Sequence, residues 1–343
     1  MNTHIAGDDK TMGKRAGLLL AAVTMMLACG ACAPPAPRSE ATKNTFNMSW
    51  LPQGSMVGVI VAIDKGFYAA HGLDVSAVRG FGGTRTTNEV DQGMFDFGYG
   101  DPLSVVLNRA NGGQARLVGV INQRWPAGLC YLRGRHSIKT PADLVGLSIG
   151  GGQNSAVQTL LPLWMRRNGV DPATVKILQL NPSVIVTSLV EGKIDAAECW
   201  RGNSRPLFAK QAQEAGQSLA WLEYGDFNLD IYGSGLITTD RMIAERPAVV
   251  QGFVSATYQG YAYAAQHQDE ARDIMIKTYP LLDRAVTAQQ INEITELLAG
   301  SGAPGSATQD KMARTLEFIA SAQHLESKLS AESIYTNQFV VRH

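Results

Sequence analysis

Asp96 and Asp195 are the first residues in this chain to invite a chemical reading, because two carboxylates brought together can share general acid and base work. Their surroundings point elsewhere. Each lies at the same place in a repeated stretch: Val90-Asp91-Gln92-Gly93-Met94-Phe95-Asp96-Phe97-Gly98-Tyr99-Gly100-Asp101 returns in relaxed form as Leu189-Val190-Glu191-Gly192-Lys193-Ile194-Asp195-Ala196-Ala197-Glu198-Cys199-Trp200. Both copies read as the last turn of a helix, a glycine that closes it, a short turn and a buried strand entered through the aspartate. Turn or strand-edge hydrogen bonding then accounts for the pair. No other catalytic constellation is visible. G-x-S-x-G, the phosphate-loop lysine motif, H-E-x-x-H and any metal-spaced cluster of cysteine or histidine are missing. His71, His136, His267, His324 and His343 fall at helix ends, in polar loops or at the terminus. The chain reads as a binder without metal or cofactor rather than as an enzyme.

What remains is recognition. After each repeated strand comes a candidate ligand-facing residue, Asp101 in one copy and Trp200 in the other. Asp101-Pro102 has the form of a helix N-cap followed by proline at the first helical position, and such a cap falls at the cleft end of a strand. Each copy is preceded by a strand (Leu73 to Arg79; Val175 to Leu180), a turn-rich segment and a helix. Two glycine-rich turns, Gly80-Phe81-Gly82-Gly83-Thr84 and Gly150-Gly151-Gly152-Gln153-Asn154-Ser155, open helices whose free backbone N–H groups can hold an anionic or hydrogen-bond-accepting ligand. The second of these helices aligns Val157, Leu160, Leu161 and Trp164 and runs to Gly169. Asn44 to Trp50 reads as the first strand, Ala115 to Ile121 as a buried one, and Asp230 to Thr239 as a return crossing. Helices follow over Pro247 to Gln266, Glu270 to Thr278, Ala288 to Leu298 and Gln309 to Ala322, with polar faces that read as solvated. Two similar α/β units imply two lobes, and two lobes make a cleft.

The bulk numbers agree with this division. A chain of 343 residues suits two α/β lobes. Its 30 basic residues balance its 30 acidic ones, which removes the electrostatic signature of a nucleic-acid binder. Met12-Gly13-Lys14-Arg15 followed by the apolar run Ala16 to Ala28 has the layout of an export signal, too short for a membrane span. Asp8 and Asp9 are out of place in such a signal, which favours a start at Met12. Cys29 and Cys32, each after an alanine, resemble the lipidated cysteine of a bacterial lipoprotein; ordinary secretion with a cut near Ala31 or Ala33 is the alternative. Residues 1–31 thus read as signal and 32–45, rich in proline and polar residues, as a tether. Cys130 and Cys199 either form a disulfide or are two small buried hydrophobes.

Several ordered motifs carry a family likeness. They are Trp50-x-Pro52, then Ile63-Asp64-Lys65-Gly66-Phe67-Tyr68 through His71-Gly72-Leu73-Asp74-Val75, then Gly93-x-x-Asp96-Phe97-Gly98, then Thr140-Pro141-x-Asp143-Leu144-x-Gly146, then Gly192-x-x-Asp195-Ala196 with Trp200. In this order they resemble periplasmic substrate-binding proteins of ABC importers, in the branch that takes taurine, alkanesulfonates, nitrate and thiamine-pyrimidine precursors. The resemblance implies a two-lobed type II periplasmic binding protein fold of the α/β class, each lobe a mixed sheet flanked by helices. Residues 46–131 and 233–343 would form one lobe and 132–232 the other. It implies a monomer, tethered in the periplasm through its lipid, that hands a small molecule to a permease and its ATPase.

Carried over by position, the site would take Trp50, Gln53 and Met56 from the turn after the first strand. Gly83, Thr84, Tyr99 and Asp101 would complete the first lobe. Gln153, Asn154, Ser155, Trp200 and Arg201 would come from the second lobe, with Arg124, Trp125 and Tyr232 between them. So aromatic a lining suits a flat ring bearing a polar or anionic group. Met56 stands where the pyrimidine-precursor binders have histidine, Asn203 where they have an acid, and the cysteine-rich motif of the related pyrimidine synthases is missing around Cys199. A synthase on the same fold, or a sensing subunit of a membrane kinase, are the alternative functions.

Overall fold

A computed structural model describes residues 41–152, 155–299, 302–326 and 329–340, so Cys29, Cys32, Gln153 and Asn154 lie outside the described residues. Among the described residues ten strands follow in chain order: β1 (Thr42–Asn47), β2 (Leu73–Val78), β3 (Phe97–Gly100), β4 (Ala115–Val120), β5 (Ala127–Leu132), β6 (Ser148–Gly151), β7 (Lys176–Gln179), β8 (Ala196–Trp200), β9 (Leu219–Glu223) and β10 (Gly235–Thr239). They form two mixed sheets of five, ordered β2-β1-β3-β10-β4 and β7-β6-β8-β5-β9. The orders are the same pattern twice. In each sheet three strands run parallel, and a fourth, antiparallel, joins them to the fifth.

The sheet pairing places the first crossing between Val120 and Ala127. The sequence boundary at 131/132 had put β5 with the first lobe, yet β5 is hydrogen-bonded between β8 and β9 of the second sheet. All six of its residues are buried. A strand enclosed on both faces has no alternation to betray it. The two crossings are bonded to each other, Ile121 and Asn122 N–H both donating to Ser234 O at 2.9 Å and Gly233 N–H to Asn122 O at 2.9 Å.

The helices are as expected over Pro247–Gln266 and Gln309–Ala322. The helix expected to run unbroken to Gly169 is interrupted: Ala156–Thr159 and Leu161–Arg167 are separate, because Pro162 brings no N–H to the ladder. Phe253 anchors the first core, stacked on Phe97 with ring centres 3.8 Å apart and on Tyr68 at 5.3 Å. Trp164 against Tyr224 at 4.8 Å anchors the second. Cys130 and Cys199 are joined as a disulfide across β5 and β8, with Cα atoms 5.9 Å apart.

Candidate functional site

The first half builds its part of the site where β1 and β3 end. Asn47, buried at the end of β1, accepts from Ser49 N–H (2.9 Å) and Thr86 Oγ1 (2.9 Å) and donates to Glu89 Oε2 (2.8 Å), which clamps the Gly83–Asp91 helix to the strand. Ser49 has a left-handed backbone, φ 65°, and its carbonyl accepts from Gly82 N–H. A serine held in that conformation marks a place where the surroundings impose the turn. Gly82 has φ 119°, and a β-carbon on Gly83 would stand 3.0 Å from Asp101 Oδ2, so glycine lets the carboxylate lie against the helix start. Asp101 is the N-cap of Pro102–Ala110 in a capping box with Ser104, whose N–H donates to Oδ1 at 2.8 Å. Burial raises the Asp101 pKa, partly offset by the Ser104 donors.

In the second half the buried acid is Glu198, two residues before Trp200, the repeat's counterpart of Asp101. It is buried in β8, accepts from Trp200 Nε1 (2.7 Å) and from Val157 N–H (3.2 Å), and so ties the indole to the start of the Ala156–Thr159 helix that follows β6. Burial raises its pKa, against the pull of these donors. Trp200 is half-buried and leans on Trp125, ring centres 5.3 Å apart. Nε1 of the fully buried Trp125 has no partner among the described residues.

A third element joins the two. Gln290, buried on the Arg284–Leu297 helix, accepts from Gly54 N–H at 2.8 Å and donates to Asn203 O at 2.6 Å. On the same face Glu293 accepts from Gly202 N–H at 2.7 Å and from Arg205 Nε at 3.0 Å, and Glu296 pairs with Arg201. This helix face, expected to be solvated, is instead the seam between the turn after β1 and the turn after β8.

The residues picked from sequence divide accordingly. Gly83 and Asp101 come together in the first half, and Ser155 and Trp200 both adjoin Glu198 or its helix start in the second. Thr84 and Trp50 are exposed. Gln53 and Tyr99 are buried, and burial raises the Tyr99 phenol pKa. Met56 lies in the first core. Tyr232 is in the other, its hydroxyl accepting from Thr308 N–H at 2.8 Å. Arg124 pairs with Asp226 at 3.0 Å, and Arg201 with Glu223 at 3.6 Å. Glu198, Gln290 and Ser49 were missed. Glu198 lay within the repeat, opposite Tyr99, and an acid in the middle of an otherwise apolar strand was the available signal. Among the described residues no group of three or more His, Cys, Asp or Glu is placed to hold a metal ion.

Comparison with known proteins gives this arrangement its family. The NMT1/THI5-like model matches residues 53–271, more than half of the chain. The chain belongs to the NMT1/THI5-like family. It is 26% identical to the riboflavin-binding protein RibY of Chloroflexus aurantiacus, over 94% of this chain and 96% of that protein. It is 21% identical to a formylaminopyrimidine-binding protein of Halalkalibacterium halodurans, over 84% and 88%. Among solved structures, the periplasmic aliphatic sulphonate binding protein SsuA of Escherichia coli shares the fold with a TM-score of 0.68 at 17% identity, over 87% of this chain and 99% of that one.

Proposed function

We propose that this protein is the exported solute-binding component of an ABC importer. It captures one small molecule between its two sheets and delivers it to a membrane permease and ATPase. The observation that carries this reading is the repeated sheet order. Two copies of one unit, joined by two crossings, offer a ligand contacts from both sides, and a ligand shifts an open–closed equilibrium only through contacts that differ between the two states. The binding proteins among the relatives support it. The ligand is a flat aromatic or heterocyclic molecule, with Trp200 as the stacking residue and Trp50 at the rim. The protein performs no chemistry on it. Cys199, where the synthase reading needs a reactive cysteine motif, is tied up with Cys130. The chain works in the periplasm as a monomer, held to the membrane by a lipid on Cys29 or Cys32 through the residues before β1, whose start at Thr42 shortens the tether read from sequence as 32–45.

The test is mass spectrometry of small molecules released from the purified protein, followed by thermal-shift titration with the compound found, since a ligand that binds only the folded form raises its melting temperature. X-ray scattering should show a smaller radius at saturation, and identical profiles with and without ligand would remove the closing cleft. Trp200→Ala should weaken binding far more than it lowers the melting temperature; equal losses would make the indole a packing residue.

A further inference from the structure

The Arg284–Leu297 helix and the edge of the second sheet enclose a cavity of about 690 Å³, the size of a small-molecule site rather than of a protein face. Its walls come from both halves. Leu219 and Trp221 of β9 and Pro206 of the Ser204–Glu214 helix belong to the second, and Ala288 to the helix that Gln290 fastens to Gly54. One end of the cavity lies away from the proposed cleft. β5 pairs Ala127 with Trp200 and Leu132 with Leu219, roughly 17 Å of strand apart, and Arg133 follows Leu132 into the cavity wall. Arg133, Arg205, Glu293 and Glu296 are the charged side chains of the lining, and three of them are engaged. Arg205 pairs with Glu293 and lies over the Trp221 ring, 5.2 Å from its centre, and Glu296 pairs with Arg201. Glu293 also accepts from Gly202 N–H at 2.7 Å. Arg133 is the exception. Its N–H donates to Ser218 O at 2.9 Å, which fixes its backbone, yet among the described residues its guanidinium has no partner.

We propose that this cavity is a second binding site, for a small organic carboxylate, whose occupant braces the two halves against each other. It goes beyond the receptor function and does not depend on which solute the cleft takes. The carboxylate sits on Arg133, whose planar fork of donors matches two carboxylate oxygens. The apolar body lies along Leu219, Pro206 and Ala288, where it leaves water. Glu293 and Glu296 do not repel such a ligand as free charges would, because Arg205 and Arg201 already offset them. The charge left over in the lining is that of Arg133, and it favours an anion. A cation would have to displace Arg205 or Arg201 from its pair. Since the walls belong to different halves, the ligand binds the arrangement in which both are in place, and so favours that arrangement. Any solute in the cleft that favours the same arrangement then gains affinity by the same factor as it confers.

The experiment titrates the full chain by calorimetry with benzoate, phenylacetate and 3-phenylpropionate, and with the three matching carboxamides. The carboxylates should bind more tightly than the amides. Arg133→Ala should weaken the carboxylates by about 10-fold, the lower end of what a bond to a charged group supplies, and leave the amides unchanged. Arg133 is exposed, so this variant should melt as wild type does. Gln290→Ala removes no group from the cavity wall and should still weaken the carboxylates, because the walls no longer hold their spacing. Trp200→Ala should leave carboxylate binding as it is in wild type. Carboxylate binding that survives Arg133→Ala, or amides that bind as tightly, overturns the site; binding lost in Trp200→Ala instead places the probes in the cleft and overturns it equally. A chain that takes none of the six compounds also overturns the site, while a solute released from the purified protein would still establish the receptor. Full carboxylate affinity in Gln290→Ala removes the bracing role.

Discussion

The two halves use the same anchor and spend the strand that follows it differently. In the first, Asp96 Oδ2 accepts from Thr45 N–H at 2.8 Å and Thr45 Oγ1 at 3.2 Å, and Asp96 N–H returns a bond to Thr45 Oγ1 at 3.2 Å. In the second, Asp195 Oδ2 accepts from Ser148 N–H at 2.8 Å and Ser148 Oγ at 2.6 Å, and Asp195 N–H donates to Ser148 Oγ at 3.1 Å. The glycine before each has nearly the same left-handed φ, 76° at Gly93 and 75° at Gly192. Each aspartate thus locks the entry of its strand to the parallel neighbour, and the partners Thr45 and Ser148 both supply a hydroxyl because the bond is reciprocal. Beyond the anchor the copies part. Tyr99 packs into the first core where Glu198 reaches a helix start in the second, and Asp101 caps a helix where Trp200 presents an indole. A duplicated scaffold with unlike strand ends is what one asymmetric solute needs from two lobes.

The halves also differ in covalent bracing, and that difference should be the largest to measure. Only the second carries the Cys130–Cys199 bond. Reduction, or Cys130→Ser with Cys199→Ser, should cost about 2–4 kcal/mol and lower amide-exchange protection in residues 127–223 ahead of the first sheet. Uniform loss across both sheets would mean that the halves unfold as one unit. Next comes the seam. Gln290→Ala leaves Gly54 N–H and Asn203 C=O without their buried partner and should cost about 1–3 kcal/mol. Scattering should report a larger radius for the unliganded variant. An unchanged radius would make Gln290 a local packing residue with no hold on the second half.

The scaffold was legible in the sequence because its signals are local. Gly-x-x-Asp before an apolar run, Asp-Pro at a helix start and Thr-Pro-x-Asp at Thr140 each fix a few backbone torsions, and all three appear where expected. What the pattern hid depends on distant chain. The β5 strand looks like any apolar run until β8 and β9 flank it, and β9 alternates too weakly to announce a strand. The polar face of Arg284–Leu297 is indistinguishable from a solvated one, since nothing within the helix tells that Asn203 and Gly54 will meet Gln290. For the site, type alone separated the residues poorly. Met56, Trp125 and Tyr232 have the bulk for a ligand wall, and the same bulk puts them in cores.

The smallest effect sharpens the comparison most, because it tests whether one anchor does the same work twice. Asp96→Asn and Asp195→Asn should each cost about 1 kcal/mol at pH 7, the value of an ordinary hydrogen bond made weaker rather than lost. For Asp195 the pH dependence has a definite sign. Burial alone would raise its pKa, but Ser148 and then His136, whose Nε2 lies 2.9 Å away, outweigh burial and hold the carboxyl below its ordinary value. A pKa lower in the folded chain than in the unfolded one contributes stability that is present above about pH 4. That stability is lost as the pH falls through the folded value. The gap between wild type and Asp195→Asn in denaturant melts should therefore close as the pH drops below about 4. A gap that stays constant from neutral to acid pH would show that the anchor works through shape alone, and that its charge adds nothing to the second half.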